Sequence, residues 1–69
     1  MTPAQRKVYD ALVLYWRERG YAPSYDDLRE ACGFRSRHTI ACHLDALERL
    51  GAVTREPGRS RSLRPVVAR

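Results

Sequence analysis

The segment Gly33-Phe34-Arg35-Ser36 constrains the fold more than any other feature of the sequence, because it ends one helix and begins the next. Glycine readily adopts the left-handed conformation that follows a helix, and serine is a preferred N-cap residue. Phe34 is expected to fill the core between the two helices. Helices joined so tightly predict a helix-turn-helix, although any three-helix bundle can use glycine and phenylalanine in the same way.

Similar signals delimit three helices. Helix 1 is predicted from Pro3 to about Arg19, helix 2 from about Tyr25 to Cys32, and helix 3 over residues 36–50. Each begins at a serine or threonine N-cap, and each is followed by a glycine. The inward faces predicted from helical spacing are Val8, Leu12, Tyr15 and Trp16 in helix 1, Leu28, Ala31 and Cys32 in helix 2, and Ile40, Leu44 and Leu47 in helix 3.

The pattern changes after Gly51, where the sequence predicts a β-hairpin. Residues 52–56 form the first expected strand, Pro57-Gly58 the turn, and residues 60–64 the return strand, which Pro65 is expected to end. The predicted fold is therefore mainly α with a small β-hairpin (α+β). It corresponds to a winged helix-turn-helix, with three helices plus a wing.

The predicted domain covers residues 1–65, followed by a flexible tail at residues 66–69, and its net charge of +5 is concentrated in the second half. Residues 1–34 carry five basic and five acidic side chains, whereas residues 35–69 carry eight arginines against three carboxylates. A basic face on a small domain indicates nucleic acid or an acidic protein surface as the partner. A solvated basic tail would give the same balance.

Helix 3 begins with the donor-rich run Arg35-Ser36-Arg37-His38-Thr39. A helix docked in the major groove reads bases with its N-terminal turns. With Ile40 pointing inward and a step of about 100° per residue, the outward side and flanks of these turns carry the predicted base contacts. They are His38, Thr39, Ala41 and Cys42.

The predicted phosphate contacts are Arg35 and Arg37 at the start of helix 3 and Arg59 and Arg61 in the wing. The hairpin would lie on the DNA backbone or in the minor groove. The full set of candidate DNA-binding residues is Arg35, Ser36, Arg37, His38, Thr39, Ala41, Cys42, Arg59, Ser60 and Arg61. Asp45 lies further along the outward side of helix 3. Its carboxylate could accept a hydrogen bond from a cytosine amine or could simply be solvated.

Six stretches of the sequence also carry a resemblance to a known family. They are Thr2-Pro3-Ala4-Gln5, Gly20-Tyr21-Ala22-Pro23-Ser24, Gly33-Phe34-Arg35-Ser36, His43-Leu44, Ala46-Leu47 and Gly58-Arg59-Ser60-Arg61. With this spacing, nearly the whole chain resembles the N-terminal DNA-binding domain of the LexA repressor family. The Gly-Phe-Arg-Ser turn joined to His-Leu-x-Ala-Leu is the more specific part of the match, and the wing is the weaker part.

The resemblance implies a winged helix-turn-helix, an operator in duplex DNA, and repression of the kind used in the SOS response. It implies base contacts from Ser36, His38, Thr39, Ala41 and Cys42. At Ala41 and Cys42 the family has acidic residues, so the operator sequence does not follow from the resemblance. The family's C-terminal half, with its Ser-Lys self-cleavage site and dimer surface, has no counterpart in these 69 residues, and self-cleavage is not carried over.

Other chemistries have little support in the sequence. Cys32 and Cys42 are on separate predicted helices and form no C-x-x-C motif, while His38 and His43 are about 140° apart on one helix. We therefore predict no metal, no cofactor and no catalytic site. No apolar run reaches the length of a membrane span, and no signal peptide is visible. The expected location is the bacterial cytoplasm, at the nucleoid, or a bacterial host if the protein is phage-encoded.

The leading functional prediction is a sequence-specific duplex DNA-binding transcriptional regulator, with helix 3 in the major groove and the wing on the backbone. The alternative is a winged-helix interaction module that docks on a repressor, a polymerase or another acidic partner. Val13 and Leu14 are expected to point outward from an apolar segment of helix 1. They are either ordinary surface aliphatics or a patch that pairs two copies on a palindromic site or binds a protein partner.

Overall fold

The computed structural model describes residues 1–56, 58 and 61–66. Three helices precede a two-stranded antiparallel sheet: α1 (Pro3–Arg19), α2 (Tyr25–Cys32), α3 (Arg37–Arg49), β1 (Val53–Thr54) and β2 (Arg64–Pro65). The predicted winged helix-turn-helix, mainly α with a small hairpin, is confirmed. None of the described helices combines the length and the apolar character needed to cross a membrane.

The helix boundaries follow from the predicted caps. At the start of α1, the Thr2 hydroxyl accepts a hydrogen bond from the Gln5 N–H (3.2 Å), and the Gln5 side chain accepts one from the Thr2 N–H (3.0 Å). This reciprocal pair satisfies two N–H groups that have no partner inside the helix. Gly20 and Gly33 end α1 and α2 with φ of +76° and +73°, a conformation that residues with a Cβ rarely adopt.

The three helices and the hairpin enclose one apolar core. Its buried members are Val8, Leu12, Leu28, Cys32, Ile40, Leu44, Leu47, Val53 and Leu63, and Phe34 packs against them. Ala31 was predicted to face inward but is exposed, because it lies about 100° around α2 from Cys32. Tyr15 and Trp16 are half-buried, since their polar ends reach beyond the core to Asp27 and to the hairpin.

The strands are shorter than predicted, and Pro65 does not end the pairing. Val53 pairs with Pro65, and Thr54 pairs with Arg64. The next residue, Val66, donates its N–H to the Ala52 carbonyl at 2.8 Å. Hydrogen-bonded and non-hydrogen-bonded positions alternate along an antiparallel pair, so Pro65 lies at a position where its missing N–H is not needed.

Two aromatic side chains of α1 hold the hairpin against the helices. Trp16 Nε1 donates to the Leu63 carbonyl at 3.0 Å, and the Tyr9 hydroxyl donates to the Val66 carbonyl at 3.3 Å. Val66, the first residue of the expected tail, therefore makes hydrogen bonds to the domain. The rest of that tail, residues 67–69, lies outside the described residues. These two hydrogen bonds attach the base of the wing to α1.

Candidate nucleic-acid interface

The N-terminal turns of α3 carry the predicted base contacts on a continuous outer face. His38 and Cys42 are exposed, and Thr39 and Ala41 are half-buried on the flanks. His38 Nε2 lies 3.5 Å from Cys42 Sγ, one helical turn further on. We refer to these four residues as the outer face of α3. The inward side of the same helix is closed by buried Ile40, Leu44 and Leu47, so the outer face is free of the core's packing.

The turn before α3 places polar groups beside this face. The Ser36 hydroxyl accepts a hydrogen bond from the His38 N–H at 3.1 Å and so caps the helix. Arg35 is exposed. The Arg37 side chain is 67% exposed, and its Nε lies 3.4 Å from Asp26 Oδ1 of α2. Arg37 is thus paired with the neighbouring helix while most of its side chain remains exposed.

An open cleft of about 760 Å³ lies between α3 and the segment that joins the two strands, and the start of α2 borders it at Ser24 and Tyr25. Arg37 and Ala41 line the helix side, and Arg55 and Arg61 line the wing side. The fold therefore brings predicted contacts from α3 and from the wing to the two sides of one opening. Two further predicted wing contacts, Arg59 and Ser60, lie outside the described residues.

The guanidinium of Arg55, directly after β1, connects three elements at this cleft. It forms an ion pair with Asp45 of α3 and donates a hydrogen bond to the Tyr25 hydroxyl of α2. Its Nη2 also lies 3.4 Å from Glu48 Oε1. The hydrogen bond to Asp45 raises the pKa of Arg55 above its ordinary value, despite an opposing effect of burial. Asp45 therefore has a partner inside the domain, a role that neither sequence-based interpretation of this residue included.

A signal for Arg55 was present in the strand pattern. Val53 is buried and Thr54 is exposed, so the alternation turns Arg55 back toward the helices, where it is half-buried. Arginine is almost never fully buried without a partner, so one turned toward the helices favours a nearby carboxylate. Asp45 and Glu48, three residues apart on one face of α3, supply it.

Arg61, predicted to contact phosphate, is folded against α2. Its Nη1 donates to the Ala22 carbonyl at 3.1 Å and to Asp27 Oδ2 at 3.3 Å. Its guanidinium carbon lies 5.9 Å from the centre of the Tyr21 ring, within the range of a cation–π contact. The side chain is still 51% exposed. A phosphate contact by Arg61 would have to compete with these bonds.

The predicted self-association patch on α1 is smaller than expected. Leu14 is 50% exposed, but Val13 is half-buried instead of pointing fully outward. The exposed apolar surface in this region is therefore contributed mainly by Leu14.

The two thiols have different surroundings. Burial raises the pKa of Cys32, which makes its thiol less reactive, whereas Cys42 is exposed on the outer face of α3. Within the described part of the chain, no three His, Cys, Asp or Glu side chains are grouped to hold a metal ion.

The sequence matches the LexA DNA binding domain family over residues 1–62. It is 43% identical to a LexA repressor of Syntrophobacter fumaroxidans over 53 residues, which cover 77% of this chain and 26% of that protein. It is 40% identical to LexA repressor 2 of Nocardia farcinica over 63 residues, 91% of this chain and 26% of that protein. With the LexA repressor of Acidothermus cellulolyticus the identity is 38%, covering 91% of this chain and 23% of the relative. The matched region thus spans about a quarter of these relatives.

Proposed function

Because the chain belongs to the LexA DNA-binding domain family, we propose that it is a sequence-specific regulator of transcription that binds duplex DNA as a LexA-like repressor. The observation that carries this proposal is the outer face of α3. Its first two turns expose His38 and Cys42, with Thr39 and Ala41 half-buried on the flanks. The opposite side of the helix is packed in the core. A helix held in this way can enter a major groove without disturbing the fold.

In this proposal the outer face of α3 reads bases. His38 can donate to or accept from a base edge, and the methyl groups of Thr39 and Ala41 can contact thymine. Cys42 extends the same surface by one turn. Since the N-terminus of α3 is the positive end of its dipole, it also favours the nearby phosphates.

Arginines position the domain on the backbone. Arg35 and Arg37 precede or begin α3 and are exposed. Arg59, which lies outside the described residues, is included because it falls between the two strands in the sequence. The cleft between α3 and the wing is the proposed path of the sugar–phosphate backbone of one DNA strand. Arg55 serves this function indirectly, because it compensates the carboxylates of Asp45 and Glu48, which would otherwise repel phosphate.

A single recognition helix covers only a short half-site, so we propose that two copies occupy a palindromic operator in the bacterial cytoplasm. The contact proposed between the copies is the apolar surface of α1 at Val13 and Leu14. Its support is the 50% exposure of Leu14.

Titration of labelled random-sequence duplex DNA at several salt concentrations tests the proposal. Binding should weaken by about 0.9 log units per log unit of salt for each phosphate neutralised. Arg35→Ala should weaken binding on every duplex and lower this slope. Arg6→Ala is the matched control, because Arg6 is an exposed arginine on α1 paired with Asp10. A chain that binds no duplex at low salt, yet is captured by an acidic protein, would instead be an interaction module.

A further inference from the structure

We propose that Asp27 is a positioning residue for the wing: its carboxylate holds Arg61 and thereby sets where the wing lies relative to α3. This inference rests on the proposed function, because the wing matters for DNA only if the domain binds DNA. It differs from the expectation that Arg61 itself contacts phosphate.

The first observation is that one oxygen of Asp27 connects three parts of the chain. Asp27 Oδ2 accepts hydrogen bonds from the Ser24 N–H at 2.9 Å, the Tyr15 hydroxyl at 3.1 Å and Arg61 Nη1 at 3.3 Å. The first donor belongs to the start of α2, the second to α1 and the third to the wing. Because α1 and α2 are fixed by the core, the oxygen itself is fixed, and Arg61 is the movable partner.

The second observation is the backbone conformation of Arg61. Its φ is +54°, in the left-handed region that residues with a Cβ seldom occupy. This conformation accompanies a side chain whose Nη1 reaches Asp27 of α2 and the Ala22 carbonyl in the segment before α2. Such a backbone conformation persists when surrounding contacts hold it in place.

The third observation is the position of Arg61 along the hairpin. Two residues later, the Leu63 carbonyl is held by Trp16 Nε1. The base of the wing therefore has an anchor on α1, while Arg61 supplies an anchor on α2, closer to the turn. Two anchors on different helices determine the direction of the wing as well as its attachment.

Replacement of Asp27 should change DNA affinity in the direction opposite to the one that electrostatics alone predicts. Removing a negative charge from a DNA-binding surface should strengthen binding. If Asp27 positions the wing, Asp27→Asn should instead weaken binding, by about two- to fivefold, the range that a partly exposed charged contact supports. Arg61→Ala should also weaken binding, and the double variant should bind no worse than Arg61→Ala alone, because Asp27 is proposed to act on the wing only through Arg61.

The experiment is this double-mutant cycle, measured by fluorescence anisotropy on a duplex that the parent binds. Asp27→Asn that binds as tightly as the parent or more tightly would overturn the proposal, as would two losses that simply add. The Arg6–Asp10 pair of α1, at 3.7 Å, provides the matched cycle of a second exposed arginine and aspartate. Ser24→Ala controls for the helix cap, since it removes the hydroxyl that accepts from the Asp27 N–H but leaves the carboxylate in place.

A second readout needs no DNA. In ¹H–¹⁵N spectra of the free chain, Asp27→Asn and Arg61→Ala should shift the same amides in the wing, such as those of Gly58 and Ser62, and Ser24→Ala should not. Arg61→Lys should restore part of the parent positions, because an ammonium can donate to the same two oxygens. Wing amides that stay unmoved in Asp27→Asn would overturn the inference even if the parent binds DNA. A parent that binds no duplex would overturn the proposed function while these spectra still test the link.

Discussion

Arg55, at the start of the wing, forms an ion pair with Asp45 on α3, the helix proposed to read DNA. The same guanidinium lies 3.4 Å from Glu48 Oε1 and contacts the Tyr25 hydroxyl. The wing therefore contributes a cation to the acidic C-terminal half of this helix. The same contacts therefore stabilise the fold and reduce the negative charge on α3 that would repel DNA.

Arg55→Ala is expected to weaken both folding and DNA binding. The Arg55 side chain is 23% exposed, so losing its hydrogen bonds to Asp45 and Tyr25 should cost about 1–3 kcal/mol of unfolding free energy. Asp45 and Glu48 then lose the positive charge that compensates them. Their carboxylates should repel phosphate and lower the affinity for all duplexes alike. Denaturant unfolding and anisotropy titrations measure the two effects.

The double variant Arg55→Ala, Asp45→Asn separates these effects. It should recover much of the lost DNA affinity, because it removes one of the uncompensated carboxylates. Arg6→Ala controls for the loss of an exposed arginine elsewhere. Unchanged affinity in Arg55→Ala would show that Asp45 and Glu48 do not face DNA.

The acid sensitivity of the domain should depend on Asp27. The Ser24 N–H is the main group that lowers the pKa of this carboxyl, with the Ser24 and Tyr15 hydroxyls adding to it. Because the pKa is lower in the folded state, the stabilisation is complete above the unfolded pKa of about 4 and is lost as the pH falls through the folded pKa. The melting temperatures of the parent and Asp27→Asn should therefore differ most near pH 6 and converge toward pH 2.

Circular dichroism melts across this pH range provide the measurement. Asp10→Asn is the comparison, since Asp10 is 64% exposed and its partner Arg6 is 66% exposed. A gap between the parent and Asp27→Asn that is constant from pH 6 to pH 2 would contradict a stabilising role of the ionised carboxylate.

The apolar surface of α1 predicts cooperative binding to a palindromic duplex. Leu14→Glu should remove the cooperativity and leave the affinity for a single half-site unchanged, because Leu14 lies outside the outer face of α3. Sedimentation of the protein with one-site and two-site duplexes measures this. Two copies of the parent binding independently would show that Val13 and Leu14 are ordinary surface residues.

Local sequence signals predicted the helices well. Thr2, Ser24 and Gly33 act through neighbours a few residues away, and the structure confirms these caps. The outer and inner sides of α3 were predictable for the same reason, since helical spacing alone separates them. The exposure of Ala31 shows the limit of this argument in a helix of only eight residues, where two inward positions are sufficient.

Long-range side-chain pairs could not be predicted in the same way. Arg61 and Asp27 are 34 residues apart, and Trp16 and Leu63 are 47 apart. The expectation that Arg61 contacts phosphate rested on its charge and its place in the predicted hairpin, because its partner on α2 becomes a neighbour only after folding. The register of the short strands was missed for a similar reason. Val53 pairs with Pro65, whereas proline was expected to end the pairing.

Selection of binding sites from a pool of random duplexes tests whether α3 reads the DNA sequence. The parent should enrich one motif. His38→Ala and Thr39→Val should enrich altered motifs while their affinity for random DNA stays close to the parent's. On the parent's best site each variant should lose about 1–3 kcal/mol of binding free energy. No enrichment by the parent, or the same motif from all three proteins, would contradict the assignment of α3 as the helix that reads DNA.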